Sequence, residues 1–243
     1  MSKLNVLLTG MTGRIGPHLL PAFREQYHLR TLDLNPVPDD PNHTVSNLSN
    51  IDTLREAMTG IDVLVHLAAT SDEAPFMEQL LPNNIVGVYN IFEAAHQAKV
   101  RRIVFASTVQ TVRAWGDHLP VRAADPPRPG TIYGVTKVFG ETLGRWYHVK
   151  RGLEFVALRI GAFQPYDSEG LRKHQGMRDL WLSPRDAVQL LSKAIDTPDI
   201  GYAIVFGTSA TEQERISLQE ARDLLGYEPQ DRSADIEKVA KEQ

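Results

Sequence analysis

The run from Leu4 to Gly16, LNVLLTGMTGRIG, restricts what this chain can fold into more than any other stretch. Asn5 to Leu8 is apolar without polar alternation, as a parallel strand covered on both faces reads. It ends in Thr9-Gly10-Met11-Thr12-Gly13-Arg14-Ile15-Gly16, and a helical pattern follows from Ile15 to Glu25. In a turn that holds a dinucleotide each glycine has a physical job. Gly10 permits the sharp turn off the strand, Gly13 lets the backbone approach a pyrophosphate, and Gly16 lets the helix pack closely on the strand. The diphosphate then rests on exposed N–H groups at the helix N-terminus. An ordinary strand-to-helix turn also uses glycine, so this spacing alone does not decide the matter.

Asp33 weights the choice. It ends a second strand, His28 to Leu32, about 20 residues beyond the glycines, where a carboxylate meets the adenosine ribose hydroxyls. Leu34, Asn35 and Pro36 follow, with no Arg or Lys to receive a ribose phosphate. NAD is therefore expected rather than NADP.

Strand and helix keep alternating. A proline-rich loop, Asn35 to Pro41, leads to a short strand near Thr44 and Val45, then Asn47-Leu48, then a helix from Ile51 to Met58 closed by Gly60. Val63 to Leu67 is the fourth strand, and the small residues Ala68, Ala69 and Thr70 leave room for a cofactor at its end. A helix from about Asn83 to Gln97 starts beside Pro82. Strand five is Ile103 to Ala106, ending in Ser107-Thr108, and a helix from about Tyr133 to Val149 precedes strand six, Phe155 to Ile160.

The expected fold class is α/β: a Rossmann-like doubly wound parallel sheet over residues 1–160. Residues 161–243 read as a small C-terminal substrate lobe that is not an independent domain. There Ala162 to Gly176 is irregular and polar, Ser183-Pro184 caps a helix, Ala203 to Phe206 is a last strand, and Ser217 to Leu225 a last helix.

Composition excludes several functions. A formal net charge of −4 lacks the basic excess that nucleic-acid binding needs. With no cysteine, disulfides, thiolate metal sites and thiol catalysis are out, and the eight histidines form no close ligand pair, so no metal is expected. No apolar run reaches membrane-spanning length, and the first strand leaves no room for a signal peptide. A cytoplasmic location without membrane partners is the expectation.

Tyr133 and Lys137 lie on one helix face, about one turn apart. A free phenol has a pKa of roughly 10, so a tyrosine base near neutrality needs about 3 units of stabilisation, or about 4 kcal/mol. Lys137 and a positive nicotinamide ring carry charge of the right sign for this. Thr108 adds a hydroxyl to orient the reacting oxygen. His66 and Trp181 read as packing residues. Phe139, Trp146 and Tyr147 read as core or subunit contact.

The set Thr9 to Gly16, Asp33, Asn84 in Asn-Ile-Val-Gly-Val-Tyr-Asn, Ser107-Thr108 and Tyr133-x-x-x-Lys137 resembles the extended short-chain dehydrogenase/reductase family, also called the NAD-dependent epimerase/dehydratase family. The resemblance covers nearly the whole chain. Within that family, Phe105 to Thr108, Ile132 to Lys137, Arg159-Ile160-Gly161 and Trp181 to Ser183 look most like uronate dehydrogenases and related sugar dehydrogenases.

The resemblance implies hydride transfer between a sugar or sugar acid and NAD. Tyr133 takes the proton of a sugar hydroxyl, Lys137 holds the ribose and lowers the tyrosine pKa, and Thr108 hydrogen-bonds the substrate oxygen. It implies cofactor contacts from Gly10, Thr12, Gly13, Arg14, Ile15 and Gly16, and from Asp33, Asn47, Leu48, Leu67, Ala68, Ala69, Asn84 and Lys137. Substrate contacts fall to Thr70, Thr108, Val109, Gln110, Tyr133 and Ala162. The loop holding Arg172, Lys173, His174 and Arg178 offers charge for a carboxylate or phosphate, with Arg172 and Arg178 as its expected contacts.

Asn47 stands where the family usually has Asp, and its amide oxygen is expected to accept from the adenine amino group. Val109-Gln110 replaces the Asn-His pair typical of uronate dehydrogenases, and Ala162 replaces the Ser after Arg-Ile-Gly. The family also pairs its two long helices, here Ile85 to Gln97 and Tyr133 to Val149, in a homodimer or higher homo-oligomer. A nucleotide-sugar epimerase or dehydratase uses the same Tyr and Lys but needs a larger C-terminal domain to hold its nucleotide. A non-catalytic NAD sensor needs neither residue.

Overall fold

The structure is a computed structural model that describes residues 3–38, 40–116 and 119–236. In chain order it runs β1 (Asn5–Thr9), α1 (Gly16–Gln26), β2 (His28–Asp33), β3 (His43–Val45), α2 (Ile51–Ala57) and β4 (Val63–His66). A wide-turn π segment, Phe76–Val86, passes directly into α3 (Gly87–Gln97). Then come β5 (Arg102–Thr108), α4 (Ile132–Arg151), β6 (Glu154–Ile160) and β7 (Ala162–Phe163). The remainder is α5 (Glu169–Lys173), α6 (Gln175–Arg178), β8 (Trp181–Leu182), α7 (Pro184–Asp196), β9 (Tyr202–Gly207) and α8 (Gln219–Leu225).

Seven strands form one parallel sheet in the order β3-β2-β1-β4-β5-β6-β9. This is the expected doubly wound α/β arrangement, and its strand order reverses between β1 and β4, where a crevice opens at the strand C-termini. Because successive strand residues face opposite ways, the apolar runs feed two cores. Val6, Leu8, Val65, Val104 and Leu158 meet α1, α7 and α8 on one face. Leu7, Leu64, Ile103, Phe105 and Phe155 meet α2, α3 and α4 on the other.

Helix α4 is fixed at both ends and along its length. The Thr131 hydroxyl accepts from Gly134 N at 3.0 Å, and Gly152 ends the helix in the left-handed region. Its packing on the sheet is close: a Cβ at Gly140 or Gly144 would lie 2.4 Å or 2.3 Å from the rings of Phe105 or Phe155. The helix face bearing Tyr133 and Lys137 is thereby set against β5.

Three features differ from expectation. The helix before strand five begins at Phe76, not near Asn83, so Pro82 lies inside it. Wide turns explain this: Leu80 N donates to Pro75 O, five residues back, at 3.3 Å, and Gly87 N donates to Pro82 O. Such turns accommodate a ring that would break a regular α-helix. Second, Ala162 to Gly176 is not irregular throughout: it opens with β7 and contains α5. Ala162 N donates to Leu180 O at 2.7 Å, building a two-strand β7–β8 ladder too short to leave a periodicity. Third, β9 pairs with β6, so the last strand belongs to the main sheet and forms its edge.

Candidate active site

The site is assembled at the crevice between β1 and β4. Gly10 has φ of +76°, and its N donates to Leu32 O at 3.0 Å. A side chain here would be strained and would drive its Cβ to 2.5 Å from Ala68 N. At Gly16 a Cβ would come within 2.2 Å of Met11 O. The close approach at this glycine is to the turn itself, not to the strand as expected. Beside Gly13 only Gly10 O lies near, at 3.2 Å from a built Cβ, so that edge is open to a ligand. No side chain caps the start of α1; Pro17 has no N–H and His18 N donates to Ile15 O at 3.1 Å, which leaves the Gly16 N–H and the turn before it for an anion.

Asp33, at the end of β2, accepts from Thr12 N at 2.8 Å through one oxygen and from Leu34 N at 2.7 Å through the other. It therefore holds the glycine turn as well as lining a cavity of about 210 Å³ with Thr12, Gly13, Asn47, Leu48 and Ala68. Asn47 is oriented contrary to expectation. Its oxygen accepts from Ser49 N at 3.0 Å, Ser49 Oγ at 2.6 Å and Asn50 N at 3.2 Å, so it is consumed within its own turn. Thr70 lines the same cavity, where Asn83 Nδ2 donates to its hydroxyl at 2.8 Å.

A larger cavity of about 730 Å³ shares Gly10, Leu67 and Ala69 with the first and carries Tyr133, Lys137 and Thr108 together. Arg14, Ile15, Val109, Gln110 and Ala162 also line it. Thr108 accepts from Gln110 N at 3.2 Å, which turns the chain out of β5 and leaves its O–H to donate. Asn84 lies behind the wall rather than in it. Buried, it accepts from Thr70 N at 2.9 Å and donates to Thr70 O at 2.9 Å and Thr136 Oγ1 at 3.1 Å, bracing the loop after β4 against α4.

The nitrogen-bearing side chains of the lining are not the expected ones. Arg172 and Arg178 do not line the large cavity, whereas Arg113, Lys173 and His174 do. Helices α5 and α6 set this: Arg178 turns inward, leaving Nε buried without a partner, while its neighbours face the cleft. Arg113 sits in a short turn after β5, where no periodicity marks it, although the strand's C-terminal side does. Arg14 and Asp72 pair at 2.8 Å at the cavity lip, with Asp72 at φ of 63°.

The electrostatics are dominated by burial. Lys137 is 2% exposed, and its Nζ donates to Ala106 O at 2.8 Å. Burial pulls its pKa down to about 7, against the opposing charge of Glu141. Burial likewise pushes the Tyr133 phenol up, with Asp72 adding to the effect and Arg14 opposing it. Lowering that phenol therefore falls to positive charge brought up against it. Behind Lys137, Glu141 takes both Arg159 Nε and Nη2 at 2.9 Å and the Ser107 hydroxyl at 2.6 Å, all buried. His66, as expected, packs between Phe92 and Phe105, and burial lowers its pKa to about 3. Among the described residues, no group of three or more metal-ligating side chains converges.

The glycine cradle, the free helix start and Asp33 fit a dinucleotide, and a family model described as NAD dependent epimerase/dehydratase family matches residues 6–174. The chain belongs to that family. An NAD-dependent glucose-6-phosphate dehydrogenase of Haloferax volcanii is 35% identical, over 95% of this chain and 95% of its own. A uronate dehydrogenase of Pseudomonas syringae pv. tomato is 34% identical, over 84% of this chain and 74% of its own. Among solved structures, a mutant uronate dehydrogenase from Agrobacterium tumefaciens complexed with NAD superposes with a TM-score of 0.87. It is 30% identical and the match covers 99% of this chain and 90% of that one. Membership makes NAD the dinucleotide for this cleft, and among the described residues no helix is long and apolar enough to cross a membrane.

Proposed function

We propose that this chain is an NAD-dependent dehydrogenase that oxidises a hydroxyl-bearing carbon of a sugar or sugar acid. One observation carries the reading: Tyr133, Lys137 and Thr108 line a single cavity that opens onto the glycine turn at Gly10. Bound NAD supplies the acceptor for the hydride lost by that carbon. The Thr108 hydroxyl donates to the substrate oxygen and holds it toward Tyr133. Tyr133, as phenolate, takes the hydroxyl proton, and the ammonium of Lys137 one helical turn away stabilises that charge. Asp33 fixes the ribose end and the N–H groups from Arg14 to Gly16 hold the diphosphate.

The substrate is read as an anionic sugar, a uronate or a phosphorylated aldose. Arg113 and Lys173 on the cavity wall, with His174 beside them, support this, since a guanidinium and an ammonium suit a carboxylate or phosphate. The named activities of the Haloferax and Pseudomonas relatives point the same way. Of the C-terminal part, residues 161–180 would form the substrate side of the cavity. Exposed apolar side chains on α3 and α4, namely Tyr89, Val135, Trp146 and Val149, support a homodimer across these helices. The cytoplasm, where NAD is pooled, is the compartment this reading implies.

NAD is mixed with purified protein and, in turn, glucuronate, galacturonate, glucose 6-phosphate, arabinose or glucose, and NADH is followed by absorbance. Accumulating NADH with an anionic sugar is the expected result. An epimerase would instead interconvert sugars with no net NADH, and no reaction with any of them would refute the dehydrogenase.

A further inference from the structure

We propose that Asn47 presents a hydrogen-bond donor, not an acceptor, to the purine of the bound dinucleotide. On this reading the chain does not select adenine by its 6-amino group and binds a 6-oxo purine dinucleotide about equally well. The argument rests on NAD occupying the cleft, with the purine beyond Asp33 in the cavity that Asn47 and Leu48 line.

The orientation of the amide is dictated by its neighbours. Its oxygen accepts from two backbone N–H groups, Ser49 at 3.0 Å and Asn50 at 3.2 Å. A backbone N–H can bond only the oxygen of an amide, so flipping the group would set NH₂ against two donors. The Ser49 hydroxyl donates to the same oxygen at 2.6 Å. Nδ2 is left as the free polar atom of the side chain, and it is donor-only.

The segment cannot easily reorganise to change this. Asn90 of α3 donates to Leu48 O at 2.8 Å, and Ser46 N donates to Asp33 O at 2.9 Å. Leu48 sits in the space left by Gly87, where a Cβ would meet its own Cβ at 2.8 Å. Position 47 is thus held from both sides.

The chemical consequence follows from valence. A carboxylate at 47 could spend one oxygen on the Ser49 and Asn50 N–H groups and offer the other to the 6-amino group. An amide divides these capacities: the oxygen serves the turn and only N–H remains for the base. Donor against amino donor gives no bond, so on adenine the N–H meets only the ring acceptor N1, whereas on hypoxanthine it meets the 6-oxo acceptor, and each base offers it one partner.

The test is the dissociation constant of NADH and of its hypoxanthine analogue, deamino-NADH, read from nicotinamide fluorescence on the wild-type chain and on Asn47→Asp. The wild type is expected to bind the two within about threefold, and Asn47→Asp to prefer NADH by about tenfold or more, the scale of one hydrogen bond. A wild type that prefers NADH by about tenfold, or an Asn47→Asp ratio unchanged from wild type, would overturn the donor assignment alone. Failure of both dinucleotides to bind would overturn the cofactor assignment and this proposal with it.

Discussion

Lys137 donates to the main-chain carbonyl of Ala106 at 2.8 Å, while its ammonium lies 5.7 Å from the centre of the Tyr133 ring. The charge is therefore moored to β5 before any substrate arrives, close to the phenol yet directed at the sheet. A mooring of this kind pre-places a charge for chemistry at a cost in stability, because the ammonium is buried.

Lys137→Met should expose that cost. The folded chain holds the Lys137 pKa down to about 7, while the unfolded chain keeps it near the ordinary value. Between about pH 7 and about pH 10 the unfolded state binds the proton more tightly, so this residue's contribution improves as pH rises and is fully unfavourable below about 7. The variant, which also strands the Ala106 carbonyl at every pH, is expected to gain about 1–2 kcal/mol at neutral pH and to lose about 1–3 kcal/mol near pH 10, where only the stranded carbonyl counts. Urea midpoints at the two pH values decide it, and an equal change in stability at both would contradict the buried-charge account. Turnover should be lost throughout.

Asp33→Ala removes the acceptor for Thr12 N and Leu34 N as well as the proposed ribose contact. NADH should bind about 10- to 100-fold more weakly, and the preference over NADPH should shrink as the negative charge goes. Fluorescence titration with both dinucleotides measures this. An unchanged NADH affinity would remove Asp33 from the site.

Glu141→Gln should leave the Arg159 guanidinium buried without its counter-charge. Breaking such a pair costs about 3–5 kcal/mol. The double variant Glu141→Gln with Arg159→Met should recover much of the loss, read as a non-additive cycle in urea unfolding. Additive losses would mean the two do not act as a pair.

Arg113→Ala should raise KM for an anionic sugar more than about tenfold, since a guanidinium–anion contact is lost, and leave a neutral aldose unaffected. Arg172→Ala, outside the cavity, should change neither. Equal effects on charged and neutral sugars would remove Arg113 as the anion contact.

Much of this was legible in the sequence because it rests on local rules. The glycines of the first turn, Asp33 at the end of β2, and the four-residue spacing of Tyr133 and Lys137 each follow from chain geometry over a few residues, and the sheet order follows from strand–helix alternation. What was not legible depends on long-range contacts or on very short elements. The β7–β8 ladder has two residues on each side, too few for a pattern. Arg113 reaches the cavity, and Arg172 does not, through the way short turns fold back over the strand ends. The amide of Asn47 faces as it does because of two N–H groups in its own turn. Asn84 was identified as a motif residue, but its role as a brace between Thr70 and Thr136 appears only once α4 is packed beside the β4 loop.

The most direct test of the central claim is Tyr133→Phe, with turnover and NADH affinity measured on one preparation against the best anionic sugar. The account predicts an unchanged dissociation constant for NADH and a turnover lower by about 10²–10⁴-fold, the contribution of a general base. Turnover close to wild type, with NADH bound normally, would show that Tyr133 does not carry the proton and would contradict the mechanism.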